Sequence, residues 1–307
     1  MTTDLENQWK ELRFGVEIEF IGGRPQELEL LPGWIMSLDE KQIDETGMKS
    51  GSELKPPPLR WEDRGQLRIM LDRLAAQGAA ANWSCGLHVH VELAAYGESI
   101  LLPLLEAALR CQDALARLLG SSPHRRLYCP PVAKAMAEAF RSSHDPLAVR
   151  HFGRPQSHRC GINIQPWFDI GTVEIRYANG SLDYGEIMRT VELCLRFVAA
   201  VGAGAALPDN PEGLAAALNA PFGGYPPPIE PPRWFKERMW LEEAMIPVFT
   251  PLIAMLAPEA ELHHILPVPD GLRTVIEFPG GEQWEYDWRP TASGWERFHP
   301  NERIQIR

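Results

Sequence analysis

The chain has 307 residues, 45% of them apolar and 23% charged, which is enough material for a substantial core in a soluble protein. A net charge of -11 with no offsetting Lys/Arg cluster excludes a general nucleic-acid binder, though not a small anionic ligand. The polar start MTTDLENQWKE reads as neither signal nor transit peptide, and the apolar runs near 198–207 and 248–256 are too short or Pro-interrupted for a bilayer. Five scattered cysteines fit reduced thiols, so a cytoplasmic protein with no membrane partner is expected.

Residues 13–20 alternate, with Phe14, Val16, Ile18 and Phe20 on one face and Gly15, Glu17 and Glu19 on the other, which predicts a strand. Leu67, Met70, Leu71 and Leu74 at helical spacing predict a helix over 64–78. Leu87, Val89 and Val91 predict a second strand with His88, His90 and Glu92 opposite. An apolar helix over 100–119 closes at Gly120, and the irregular stretch 121–158 carries one short helix over 133–141. Strands are predicted at 159–165, with Arg159, Gly161, Asn163 and Gln165 on one face, and at 172–177, with Thr172, Glu174 and Arg176 on one face.

A helix over 183–202 precedes the Pro-rich stretch PFGGYPPPIEPP (221–232), the predicted boundary between a catalytic domain, 1–220, and an extension, 221–307. The extension reads as a broken helix over 234–256 and a strand-rich tail, with a hairpin formed by 273–278 and 283–288. The pattern predicts an α+β fold with a largely antiparallel, curved sheet and helices on one face. No strand leads into a phosphate-binding glycine loop, so a doubly wound fold is not expected.

Four strands thus pair an apolar face with a charged or amide-bearing one: Glu-x-Glu, His-x-His, Arg-x-Gly-x-Asn and Glu-x-Arg. Side chains two apart on a strand sit about 7 Å apart on one face, from a rise of roughly 3.3 Å per residue. Glu17 and Glu19 can therefore bracket an ion. Each pattern alone has a plain structural reading as a solvated face, core histidines or an ion pair. Together on one surface they point to chemistry. Carboxylates in excess of imidazoles suit Mg²⁺ or Mn²⁺ rather than zinc, and arginine beside such an ion suits polyphosphate handling. Without a glycine-loop cradle, a nucleotide would be held by metal and arginine on the sheet.

FGVEIEF (14–20), GSELKPPPL (51–59), CGLHVHV (85–91), Arg159 with Asn163, and GTVEIRYANGSL (171–182) resemble, in order, the motifs of the amidoligase family. That family belongs to the glutamine synthetase and glutamate–cysteine ligase superfamily of ATP-dependent carboxylate–amine ligases. WIMSLDEKQID (34–44) resembles its Trp…Asp segment, with Asp39 as the acid. The resemblance implies a catalytic domain like those of that superfamily, with ATP and Mg²⁺ or Mn²⁺ as cofactors. It implies metal ligands at Glu17, Glu19, Glu53, His88 and Glu174. Catalytic roles would fall to Arg176, Arg159 and His88, and nucleotide binding to His90, Asn163 and Arg176. Which histidine is the ligand stays open. The implied reaction phosphorylates a small-molecule or peptide carboxylate, and an amine then displaces phosphate. Lys55 departs from the family, which carries serine before its proline pair.

A metal-dependent hydrolase and a non-catalytic nucleotide- or peptide-binding protein are the alternatives. A cupin-type site needs a Glu where Ala94 and Ala95 stand, and an amidohydrolase barrel needs His-x-His on its first strand. Cys85 has no partner pattern for a nucleophile. The remaining histidines, His263 and His264 among them, read as surface or loop residues. Trp284, Trp288 and Trp295 read as packing, and Arg125, Arg126 and Arg150 as arginines of a loop able to close over phosphates.

Overall fold

The alternating segments find one another as neighbours in a single sheet. A computed structural model describes residues 8–44, 48–149, 160–258, 260–278, 282–298 and 304–306, and these fall into two compact units. The change from one to the other comes between Glu230 and Pro231, inside the Pro-rich stretch.

The first unit holds strands β1 (Phe14–Ile21), β2 (Ile35–Ile43), β3 (Lys49–Lys55), β4 (Gly86–Glu92), β5 (Ile162–Asn163) and β6 (Thr172–Asn179). They lie in the order β2-β3-β1-β4-β6-β5, and every pairing is antiparallel. Its helices are α1 (Gly65–Ala76), α2 (Leu101–Leu118), α3 (Lys134–Ser143), α4 (Trp167–Ile170), α5 (Tyr184–Gly202) and α6 (Pro211–Ala217). Phe14, Val16, Ile18 and Phe20, each at most 2% exposed, join Leu87, Val89, Val91, Val173 and Ile175 in one core. Leu67, Met70 and Leu74 of α1, Leu104 and Leu115 of α2, and Ile187, Val191 and Val198 of α5 complete it. Each such side chain contributes about 1.5–3 kcal/mol on burial, so the apolar face anchors the sheet and leaves the other face to polar groups. The start of α5 is fixed by Asp183, whose carboxylate accepts from the Glu186 amide at 2.9 Å.

Local expectations change in this unit. The strand predicted over 159–165 reduces to β5, because the Asn163 side chain accepts from the Gln165 amide at 3.1 Å and α4 then turns the chain. Arg159 itself lies outside the described residues. Strands β2 and β3 form where no strand is predicted.

The second unit holds α7 (Arg233–Leu256) and strands β7 (Glu261–Val268), β8 (Gly271–Glu277), β9 (Gln283–Thr291), β10 (Gly294–Phe298) and β11 (Ile304–Ile306). The strands run β10-β9-β8-β7, with β11 against β9. Strands β8 and β9 are the predicted hairpin partners, pairing from Leu272↔Trp288 to Glu277↔Gln283. Trp288 is buried beside Phe249 and Ile253 of α7, with Trp284 and Trp295 packed on that cluster. The helix predicted as broken is continuous and contains Pro247 and Pro251. By length and composition α7 is therefore apolar enough to cross a membrane, contrary to the reading of its sequence in pieces, and 22% of its most apolar window is buried. His263, expected at the surface, is 5% exposed on β7, with its Nε2 3.4 Å from the Glu277 carboxylate.

Candidate functional site

The charged face of the six-stranded sheet is assembled by register. Glu17 of β1 stands opposite His88 of β4, Glu19 opposite Glu53 of β3, and His90 opposite Glu174 of β6, which also faces Asn163 of β5. Directly opposed residues bring their Cβ atoms within about 5.5 Å. Alternation puts each residue on this face, and strand pairing chooses its neighbours.

Glu17 sits at the centre. One oxygen, Oε2, lies 2.9 Å from His88 Nδ1, while Oε1 lies 3.5 Å from His90 Nε2 and 3.3 Å from Lys55 Nζ. His88 is also 3.6 Å from Glu174 and 3.8 Å from Glu19. Glu174 is 1% exposed and takes hydrogen bonds from Arg176 on Oε1 and from Asn163 on Oε2, the latter at 2.9 Å. The Gly86 amide donates to Glu19. His90 meets the Thr172 hydroxyl through Nδ1 at 3.1 Å, which aims Nε2 toward Glu17 and Glu174.

Burial sets the electrostatics. It pushes the Glu53 carboxyl up to about 9, helped by the charges of Glu17 and Glu19 and opposed by Lys55. Burial would raise Glu17 and Glu174 too. The contacts with His88 and His90 together outweigh it at Glu17, and Arg176 together with the neighbouring histidines outweighs it at Glu174, so both stay below the usual carboxylate range. Burial and the neighbouring Arg176 push the His88 imidazole below its ordinary value of 6.5, toward the neutral form that binds metals.

Among the described residues, two sets of donor atoms lie close enough to hold an ion: Glu17, His90 and Glu174, and Glu17, Glu53 and His88, each within 4.8 Å of one another. They share Glu17. Glu19 belongs to neither set. His90 Nε2 and Arg176 Nε are buried without a hydrogen-bond partner, as expected where a ligand supplies the missing contact. A donor set rich in carboxylate oxygen with one imidazole each fits Mg²⁺ or Mn²⁺. The side chain of Asp39 and all of Arg159 lie outside the described residues, so the structure brings together Glu17, Glu19, Glu53, His88, His90, Asn163, Glu174 and Arg176.

Arg125 has a different task from closing over phosphates. It is 4% exposed and donates to the carbonyls of Cys85 and Arg176 at 3.0 and 3.1 Å, tying β4 to β6 where their ladder bulges. A Cβ on Gly86 would meet this guanidinium at 2.4 Å, so a side chain there would push Arg125 from its carbonyl partners. Arg126 is exposed, 3.5 Å from Asp113, and Arg150 lies outside the described residues. Beside Arg125 a cavity of about 800 Å³ is lined by Arg117, Ser121, Ser122, Cys129 and Tyr177 among others. Burial pushes the Cys85 thiol up to about 12, which removes it as a nucleophile. Sequence reasoning set Thr172 on the face of Glu174 and Arg176 without giving it a role, and missed the contacts of Lys55. Thr172 shares the parity of Glu174 and Arg176, and Lys55 that of Glu53, so parity was the available signal.

The family model described as "Putative amidoligase enzyme" matches residues 26–198. The chain belongs to the amidoligase family. The match starts after β1, so the amidoligase assignment stands independently of Glu17 and Glu19. No curated protein matches the chain. Among solved structures the amidoligase chain is similar to the crystal structure of the complex between prokaryotic ubiquitin-like protein Pup and its ligase PafA, at 14% identity and a TM-score of 0.29. The similarity covers 70% of this chain and 51% of that one, so the chain spans about half the length of its match. A superposition this loose carries no weight for topology.

Proposed function

We propose that this amidoligase is an ATP- and Mg²⁺-dependent carboxylate–amine ligase acting on small-molecule or peptide substrates through an acyl phosphate. The observation that carries the reading is the buried face itself, where carboxylates in excess surround two histidines and an arginine whose Nε and neighbouring His90 Nε2 lack partners. Glu17, Glu53 and Glu174 with His88 and His90 would hold divalent metal. When bound, it would neutralise phosphate charge and polarise the γ-phosphoryl group.

The chain's own residues do the rest. Glu174 fixes the Arg176 guanidinium, and Asn163 fixes Glu174, so a positive charge is held in place where phosphoryl oxygens gather charge. Thr172 holds the His90 ring. A carboxylate is a poor electrophile. Transfer of the γ-phosphoryl makes its oxygen a leaving group, and the amine then forms the C–N bond, loses its proton and expels phosphate. The low exposure of Glu174 and His88 supports a floor from which water is excluded while the acyl phosphate lasts. Residues 1–220 would carry this chemistry, with 221–307 an extension, and the buried thiols suit a cytoplasmic setting.

The test is incubation with ATP, Mg²⁺ and pools of amino acids or peptides, followed by measurement of ADP and amide product. ADP release that needs both a carboxylate and an amine, and that Glu17→Gln abolishes without lowering the melting temperature, is the expected result. Absence of ADP with every pool, together with zinc-dependent ester or amide hydrolysis, would replace the ligase with a hydrolase.

A further inference from the structure

Resting on the metal reading above, we propose that the Lys55 ammonium is a built-in cation that takes the place of one divalent ion in the Glu17–Glu53–His88 group, so that the nucleotide-free protein binds a single divalent ion, at Glu17, His90 and Glu174. The two donor sets are not equivalent. Lys55 Nζ lies 3.3 Å from Glu17 and 3.1 Å from Glu53, and so bridges both carboxylates of its set. In the other set Lys55 reaches only the shared Glu17, and no lysine or arginine among the described residues spans both carboxylates, since Arg176 touches Glu174 alone of the two. It leaves His90 Nε2 buried and without a hydrogen-bond partner.

The position of Lys55 comes from the backbone. Its neighbour Leu54 pairs with Ile18, which sets the lysine beside Glu17 on the adjacent strand with Glu53 two residues back on the same face. The side chain is one-third exposed while the carboxylates it bridges are 16% and 8% exposed, so the stem reaches inward from the sheet end and the charge sits at the buried end. An ion bridging Glu17 and Glu53 would need contacts of about 2.1 Å to each and would lie within a few ångströms of the ammonium. The ammonium fills the place between the two carboxylates that such an ion would need, and repels it. An ammonium also offers three donors that orient carboxylates without serving as a Lewis acid. Lys55 therefore neutralises and orders this edge of the site, while the single metal acts on the His90 side.

Electron paramagnetic resonance titration with Mn²⁺ alone, without nucleotide, reads the stoichiometry directly. The wild-type chain should saturate at a single Mn²⁺. Lys55→Ala should take up a second ion, with the spectrum broadened by coupling between the two, and Lys55→Arg should stay at one. Melting curves establish that the variants fold, and Lys55→Met replaces Lys55→Ala should the latter not fold. Two Mn²⁺ in the wild type, or one in both Lys55→Ala and Lys55→Met, would overturn the proposal. A wild type that binds two ions and releases ADP keeps the ligase reading and loses only this one, whereas a chain that binds no Mn²⁺ with or without Lys55 loses both.

Discussion

Both sheets of the molecule carry a cluster of charges facing one another across antiparallel strands, and the two clusters are built to opposite rules. On the second unit's sheet, Arg273 of β8 stands opposite Asp287 of β9 and grips it with two hydrogen bonds of 2.6 and 2.9 Å, and its remaining nitrogen reaches Glu285 at 2.8 Å. The three side chains are 17–29% exposed. There the guanidinium is served on every side and water is near. On the first unit's sheet, carboxylates outnumber fixed cations, Glu174 is 1% exposed, and donor atoms of His90 and Arg176 are left over. Like residue types at like spacing thus form a closed ion-pair network in one place and leave buried donors unspent in the other. The difference lies in burial and in unspent donors.

The strongest test of this contrast removes Arg176. Because Glu174 is buried, Arg176→Ala strands a charge and should cost about 3–5 kcal/mol in denaturant unfolding. A Glu174→Leu/Arg176→Leu double variant should recover most of that loss. A loss below about 1 kcal/mol for the single change would place the pair with the exposed kind. Next in size is Thr172→Val, which removes the hydroxyl that holds His90 Nδ1. Mn²⁺ affinity should fall about 10- to 100-fold with little change in melting, as for partners that orient a metal-binding imidazole. An unchanged affinity would exclude His90 from the metal centre. Smallest is Arg273→Ala, expected to cost on the order of 1 kcal/mol of stability and to leave Mn²⁺ binding as it is. A shift in metal affinity there would erase the distinction between the two clusters.

How much of this was written in the sequence depends on the strand. In β1, β4 and β6 the apolar face is unbroken, so alternation alone placed Glu17, Glu19, His88, His90, Glu174 and Arg176 on one surface. Strand β3, KSGSELK, offers only Leu54 as a large apolar residue and packs Ser52 on the core face where others carry valine or isoleucine, which hides it from any pattern of period two. The prolines of α7 announce a break that its packing against β7, β8 and β9 overrides. Neighbours could not be read at all. That His88 would meet Glu17 and Arg176 while His90 would meet Thr172 follows from register, which is a property of two strands at once.

The strand order has a consequence for how the molecule comes into being. Strands β1, β3 and β4 all lie within residues 14–92 and can pair early in synthesis, whereas β6 begins only at Thr172 and joins later. Glu17 and Glu53 thus meet with Lys55 already between them, and Glu174 arrives with Arg176 attached. Each half of the sheet brings its own counter-charge, so the nascent chain can close this acidic surface before it has ever met a metal ion.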